Sequence, residues 1–293
     1  MNLLIASDLS KTSPVVKAAA ARPWPPGSAA CILHVVDLEP FPSGASILEM
    51  AKQSAQSSLK SMAEELKQSG LKVQIEVLSG YPKTAIPKYA ENWGADLVMV
   101  GSHGAGGMTR FLLGSVAQAV VRSSPCSVEI VRPAREPLAG RAGMKILLAT
   151  DGSASATAAV RSVGSRPWPP RTSIRLVSVV GQLMPYPDGR TSYFNEERLM
   201  RMALEAEEEG RIRAGEVIAK ARALLAKLGI EQVEAADVVS GDPKTVILDE
   251  ASEWKADLIA LGSHGWHGVD RLIMGSVSES VAMHAHCSVE VIR

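Results

Sequence analysis

Aromatic residues are scarce in this chain, at 4% of 293 positions, so a core has to be built from Val, Ile, Leu, Met and Ala. Cysteine is scarcer: Cys31, Cys126 and Cys287 are too few for a disulfide framework. Net charge is missing, with 31 basic against 31 acidic residues. That removes the basic surplus of a nucleic-acid binder and the acidic tail of a solvating protein. No apolar run approaches the length of a membrane span. The opening MNLLIASD has no basic region and too short an apolar run for a secretory leader. The expectation is a reduced, cytoplasmic protein that engages neither nucleic acid nor membrane.

What the sequence does have is repetition. MNLLIASD, ending at Asp8, matches MKILLATD, ending at Asp151. Arg-Pro-Trp-Pro-Pro begins at Arg22 and again at Arg166. Ser79-Gly80-Tyr81-Pro82-Lys83-Thr84 answers Ser240-Gly241-Asp242-Pro243-Lys244-Thr245, and Cys126-Ser127-Val128-Glu129 answers Cys287-Ser288-Val289-Glu290. The order is the same in both halves, so the chain is a tandem duplication. Residues 1–132 form one unit and 144–293 the other; the Pro-, Gly- and Arg-rich stretch 133–143 reads as a linker.

Each unit alternates short apolar runs with helix-length segments. Strands are expected at 3–7, 30–36, 72–77, 96–100 and 127–131, and at 145–150, 173–180, 231–239, 257–261 and 288–292. Helices are expected at 13–22, 47–68, 83–93 and 116–122, with counterparts in the second copy. This alternation implies right-handed crossovers and parallel sheets buried on both faces. The fold class is therefore α/β, with two doubly wound domains of five strands each. The copies differ most at 181–195, a Pro-containing insert, and at 196–229, whose second half has an apolar face and whose acidic first half reads as solvated helix.

The chemistry concentrates in one repeated stretch. Gly101-Ser102-His103-Gly104 is followed after nine residues by Gly114-Ser115, and Gly262-Ser263-His264-Gly265 after nine by Gly275-Ser276. Each copy links a strand to a helix start, where free N–H groups and the positive dipole end suit an anion. Gly101 and Gly262 let a ligand lie against the backbone, and Gly104 and Gly265 can take positive φ and turn loop amides inward. Ser115 and Ser276 add hydroxyl donors. Arg110 and Arg271 recur in the intervening loops and suit phosphate or a neighbouring acid. In an open α/β sheet such a loop opens on the switch-point crevice. Asp8 and Asp151 end the first strands and face the same crevice, suited to a ribose, a base or a metal ion on phosphates; each also suits a helix start.

These residues resemble the universal stress protein family, whose nucleotide-binding branch carries Gly-x2-Gly-x9-Gly-(Ser/Thr) after its fourth strand and an Asp ending its first. The resemblance extends to Leu33-His34-Val35-Val36-Asp37 and to the terminal Cys-Ser-Val strands, and so covers nearly the whole chain. It implies strand order 3-2-1-4-5 and binding of ATP, or of ADP or AMP, with Mg²⁺ on the phosphates. It implies that the backbones of Val35 and Val179 meet the adenine. Val100 and Gly101, with Leu261 and Gly262, would lie near the ribose. His103, Gly104, Gly114, Ser115 and Val116 would surround one set of phosphates, and His264, Gly265, Gly275, Ser276 and Val277 the other. Trp266 stands where the first copy has Ala105, and Gly181 where it has Asp37. The family also pairs through its last strands, so Ser127–Val131 and Ser288–Ile292 are expected to join as an internal pseudo-dimer, with room for a further homodimer. Antiparallel pairing would hold Cys126 and Cys287 too far apart for a disulfide.

The expectation is thus a nucleotide-binding stress-response protein in which ATP biases conformation or partner choice. No catalytic or metal-ligating residue is assigned, because no Walker loop, nucleophile elbow or His-Glu-x2-His motif occurs. A structural module with vestigial loops and a slow ATPase are the alternatives. His284-Ala285-His286-Cys287 reads as a surface turn before a metal cluster. The Arg-Pro-Trp-Pro-Pro repeats read as rigid turns capped by a packed Trp before a partner surface.

Overall fold

A computed structural model describes residues 1–10, 13–37, 45–103, 113–133, 143–181, 196–265 and 274–293. The first half contains β1 (Asn2–Ala6), α1 (Pro14–Ala20), β2 (Ala29–Asp37), α2 (Ala45–Lys67), β3 (Lys72–Gly80), α3 (Pro82–Trp93), β4 (Leu97–Gly101), α4 (Ser115–Ser123) and β5 (Ser127–Val131). The second contains β6 (Lys145–Ala149), α5 (Ala154–Ser165), β7 (Ser173–Val180), α6 (Glu196–Lys227), β8 (Val233–Ser240), α7 (Pro243–Glu253), β9 (Leu258–Gly262), α8 (Ser276–His284) and β10 (Ser288–Ile292). Strand order is 3-2-1-4-5 in the first half and its counterpart in the second, with parallel neighbours inside each half. The order reverses between β1 and β4, which opens the crevice an α/β sheet uses for ligands.

The two five-stranded sheets of the sequence reading are one ten-stranded sheet, because β5 and β10 pair antiparallel with Glu129 opposite Glu290. Apolar strands feed both faces by alternation. Leu4 and Ala6 enter a core that runs across both halves beneath the later helices, whereas Leu3 and Ile5 enter a core confined to the first half. The second half has its own counterpart on that face, built on Ile146, Leu148 and Leu176.

Charged groups lie at the seam. Glu129 and Glu290 are buried and each is gripped by two bonds from one arginine. Arg22 donates to Glu129 at 2.7 and 2.6 Å, and Arg166 to Glu290 at 2.9 and 2.7 Å. Both arginines open the Arg-Pro-Trp-Pro-Pro repeats. The tryptophans pack as expected, donating from Nε1 to the Ala19 and Val163 carbonyls at 2.8 Å. The repeat thus couples a rigid turn to the last strand of its own half. Arg22 also reaches across, its Cζ 6.0 Å from the Trp168 ring, while that of Arg166 is 4.9 Å away.

The segment with a solvated and an apolar half is a single helix, α6, of 32 residues. Met200, Met202 and Leu204 on its first half and Ile212 at its middle are exposed, and Ala214, Ile218, Ala221 and Leu225 on its second half are buried.

Candidate functional site

The crevice is built from the carboxyl ends of β1 and β4, and of β6 and β9 in the second half. β1 pairs with β4 up to Ala6 and Val100, and β6 with β9 up to Ala149 and Leu261. Asp8 and Asp151 stand two residues beyond Ala6 and Ala149 and are exposed. Each carboxylate folds its own turn, Asp8 accepting from the Ser10 N–H at 3.0 Å and Asp151 from that of Ser153 at 2.9 Å. Neither caps a helix: the cap of α5 is Ser153, and α1 follows Ser13. Between Asp and Ser the chain turns left-handed, at Leu9 (φ 65°) and Gly152 (φ 78°). Gly152 is tight as well as left-handed, since a Cβ there would lie 2.7 Å from Val217 of α6, which roofs this turn.

Beyond β1, one edge of β2 is left to the crevice. The Leu33 carbonyl accepts from the Ser7 N–H at 2.9 Å, the last bond between these strands. Backbone groups two residues on point the same way, so Val35 presents its N–H and C=O to the space that β1 has vacated. Val179 does the same in the second half, where the Val177 carbonyl accepts from the Thr150 N–H at 2.9 Å. His34 braces this corner through Nδ1, 2.8 Å from the Ser7 carbonyl. A carbonyl only accepts, so Nδ1 carries the proton.

On the other wall the glycine stretches fold back on their helices. The Gly114 N–H donates to the Ser102 carbonyl at 2.7 Å, and that of Gly275 to the Ser263 carbonyl at 2.8 Å. Gly114 and Gly275 are the residues before α4 and α8, and among the described residues no side chain caps either helix. Ser115 and Ser276, the first helical residues, are exposed, and Val116 and Val277 half-buried. The two helix starts therefore offer N–H groups and a positive dipole end to the crevice.

One glycine role differs from that expected. Gly265 is not at positive φ; a Cβ there would lie 3.0 Å from Asp151 Oδ2, so glycine lets the loop rest on the carboxylate. Gly262 has no Cβ because α5 fills that space, with the Ala156 nitrogen 2.6 Å from a built Cβ. At Gly101 the nearest atoms are likewise protein, the His103 carbonyl at 3.2 Å and Val15 at 3.6 Å. The Cβ space of Gly262 is thus taken by α5, and that of Gly101 by its own loop with Val15 of α1 beyond it. Gly104, Arg110, Trp266 and Arg271 lie outside the described residues.

Histidines line both loops. His103 Nδ1 is 3.1 Å from Ser102 Oγ, and His264 Nδ1 is 2.8 Å from Ser263 Oγ. In each ring Nε2 is buried without a hydrogen-bond partner among the described residues, a polar atom that a ligand could satisfy. Burial, and after it the positive Arg293, holds the His264 ring below its ordinary value. Ser155 adds a latch in the second half, its hydroxyl donating to the His264 carbonyl. Ser102, Ser263 and Ser155 were not among the expected site residues; the first two stand inside both copies of the glycine motif. The His-Ala-His-Cys stretch spans the end of α8, where His284 Nδ1 meets the Ser280 carbonyl at 2.8 Å. Among the described residues no cluster has the make-up of a metal site, and no helix is long and apolar enough to cross a membrane.

The fold and its two crevices define a tandem doubly wound α/β protein with an anion-receptive helix start at each switch point. The chain belongs to the universal stress protein family, whose sequence profile matches residues 1–132 and 144–293. It is 37% identical over 106 residues to a universal stress protein of Methanocaldococcus jannaschii, covering 34% of this chain and 62% of that one. Over 112 residues it is 37% identical to a putative universal stress protein of Staphylococcus epidermidis, covering 36% of this chain and 68% of that one. The crystal structure of a universal stress protein from Archaeoglobus fulgidus superposes with a TM-score of 0.64 at 23% identity, covering 100% of this chain and 96% of that one. That likeness extends the common fold over both halves.

Proposed function

We propose that each half binds one adenine nucleotide, ATP or its di- or monophosphate, and that occupancy biases the conformation or partner choice of the joined pair. The observation that carries this reading is the uncapped start of α4 and α8 at the switch-point crevice, present in both halves. The phosphates would meet the amides at Gly114–Val116 and Gly275–Val277. The base would meet the vacated backbone edge of Val35 or Val179, which offers one donor and one acceptor, the pairing that an adenine edge needs. Asp8 and Asp151 would take a ribose hydroxyl or Mg²⁺ carried by the phosphates.

The reading is of a binding protein rather than an enzyme. Among the described residues, the groups beside the phosphate position are backbone amides, serines, the carboxylates of Asp8 and Asp151 already engaged in their own turns, and the two loop histidines, of which His264 is held towards its neutral form. Nothing in that set activates a water strongly. In a cell such a protein would serve a stress response from the cytoplasm.

Equilibrium dialysis against ATP, GTP and inorganic phosphate, with Mg²⁺, tests the proposal. Retention of ATP above GTP supports it. No retention of ATP at millimolar concentration, or equal retention of all three, overturns it.

A further inference from the structure

Each half carries its crevice at the amino end of its last helix, yet the carboxyl end of that helix is held by the other half. Arg132, the residue after β5, donates from Nη2 to the carbonyls of Ala282 (2.7 Å) and Met283 (3.3 Å) in α8. Its Nη1 donates to the Cys287 carbonyl at 3.2 Å. Arg293, the residue after β10, donates from Nη2 to the carbonyls of Val121 (2.8 Å) and Arg122 (3.1 Å) in α4, and from Nη1 to that of Ser124. Those of Ala282, Met283, Val121 and Arg122 are carbonyls of a last helical turn, which a helix leaves without partners at the negative end of its dipole. Each arginine is also pinned across the seam through its backbone. The Arg132 N–H donates to Ser288 Oγ at 3.1 Å and that of Arg293 to Ser127 Oγ at 3.3 Å.

The helices are short enough to act as single pieces. Each has 9 residues, which is about 13 Å. A helix of that length held at one end by the glycine loop and at the other by a guanidinium has its amino-terminal amides set by both. The second cradle receives one more contact from the first half. Arg122 donates from Nε to Glu279 Oε1 at 2.9 Å, and Glu279 stands in the first turn of α8. The repeat places neutral Gln118 at the matching position of α4, so only the second cradle has an acid that a cation from the opposite half offsets.

We propose that Arg132 is a positioning residue for the second crevice and Arg293 for the first, so that each half sets the affinity of the other half's site. The proposal rests on the nucleotide reading above. It predicts a crossed pattern: a substitution in one half is felt at the site of the other.

The test isolates each site. Ser115→Asp and Ser276→Asp put a carboxylate at an exposed helix start, where the dipole tolerates it and an incoming phosphate does not. In the Ser115→Asp protein, which keeps the second site, Arg132→Gln should weaken Mg-ATP binding by roughly fivefold or more, and Arg293→Gln, which reaches that site through its charge on His264, by clearly less. In the Ser276→Asp protein the two effects should exchange places. Arg132→Lys, which keeps a cation at the helix end, should return much of the lost affinity. Equal weakening at both sites, weakening confined to the arginine's own half, or none overturns the proposal.

Amide hydrogen exchange without nucleotide gives a second reading. Arg132→Gln should speed exchange in α8 and spare α4, and Arg293→Gln the reverse. If no variant binds ATP, the nucleotide reading falls, and this exchange pattern decides the positioning claim alone; uniform or absent change overturns it.

Discussion

Glu129 and Glu290 stand directly opposite each other where β5 pairs with β10, and each buried carboxylate is neutralised by an arginine of its own half. Two like charges brought face to face out of water repel unless each is paired. Arg22 and Arg166 supply that pairing, and Arg22 feels Glu129 and Glu290 together. Glu129→Leu leaves Arg22 buried without its partner and should destabilise the fold by about 3–5 kcal/mol. The double change Arg22→Met with Glu129→Leu should recover most of that loss, because a packed apolar pair replaces a desolvated ionic one. Urea unfolding of the three proteins measures both effects.

The two halves make their third helix-to-strand turns differently. Gly94 follows α3 at φ 68°, a conformation free to glycine, whereas Lys255 follows α7 at φ 57° with a side chain attached. Lys255 is exposed, so its side chain offers little packing in return. Lys255→Gly should therefore raise stability, and Gly94→Ala lower it, each by about 1 kcal/mol. Thermal melts of the two variants should shift in opposite directions.

His264 links stability to pH. Its ring is held below the ordinary histidine value by burial first and Arg293 second. The unfolded chain therefore takes a proton near the usual value while the folded chain still resists it. The contribution is present above about pH 6.5 and is lost as pH falls through the depressed folded-state value. Between about pH 7.5 and about pH 5.5, the urea midpoint of the wild-type protein should fall further than that of His264→Gln. Equal falls would show that another group carries the dependence.

Cys126 should react slowly despite being only partly buried. Its thiol is pushed up to about 11, chiefly by burial, with Arg293 pulling the other way. Little thiolate exists near neutral pH, and the thiolate is the nucleophile. The register sets Cys126 at the Arg293 end of the seam and Cys287 at the Arg132 end, so oxidation should not join them. Iodoacetamide labelling followed by peptide mass spectrometry should find Cys126 spared in the folded protein and modified in urea.

The duplication and the placement of the glycine stretches were legible in the sequence, because both copies write the same punctuation at the same spacing; the strand order came from the family resemblance alone. Apolar runs fixed Ser127–Val131, Ser173–Val180 and Ser288–Ile292 to the residue. Side-chain reach was not legible. The Trp of Arg-Pro-Trp-Pro-Pro announces packing, but nothing local tells that the Arg before it ends on Glu129, 107 positions away. The caps by Arg132 and Arg293 are hidden for the same reason: they depend on the register of two strands from different halves. A missing Cβ marks a close approach without saying by what, and at Gly262 the start of α5 takes that space.

The central claim is one adenine-nucleotide site at the start of α4 and another at the start of α8. Calorimetric titration of Mg-ATP into the wild-type protein, Ser115→Asp, Ser276→Asp and the double variant tests it most directly. The account predicts a stoichiometry of two sites, then one, one and none, with all four proteins folded. ATP retained undiminished by the double variant would contradict it.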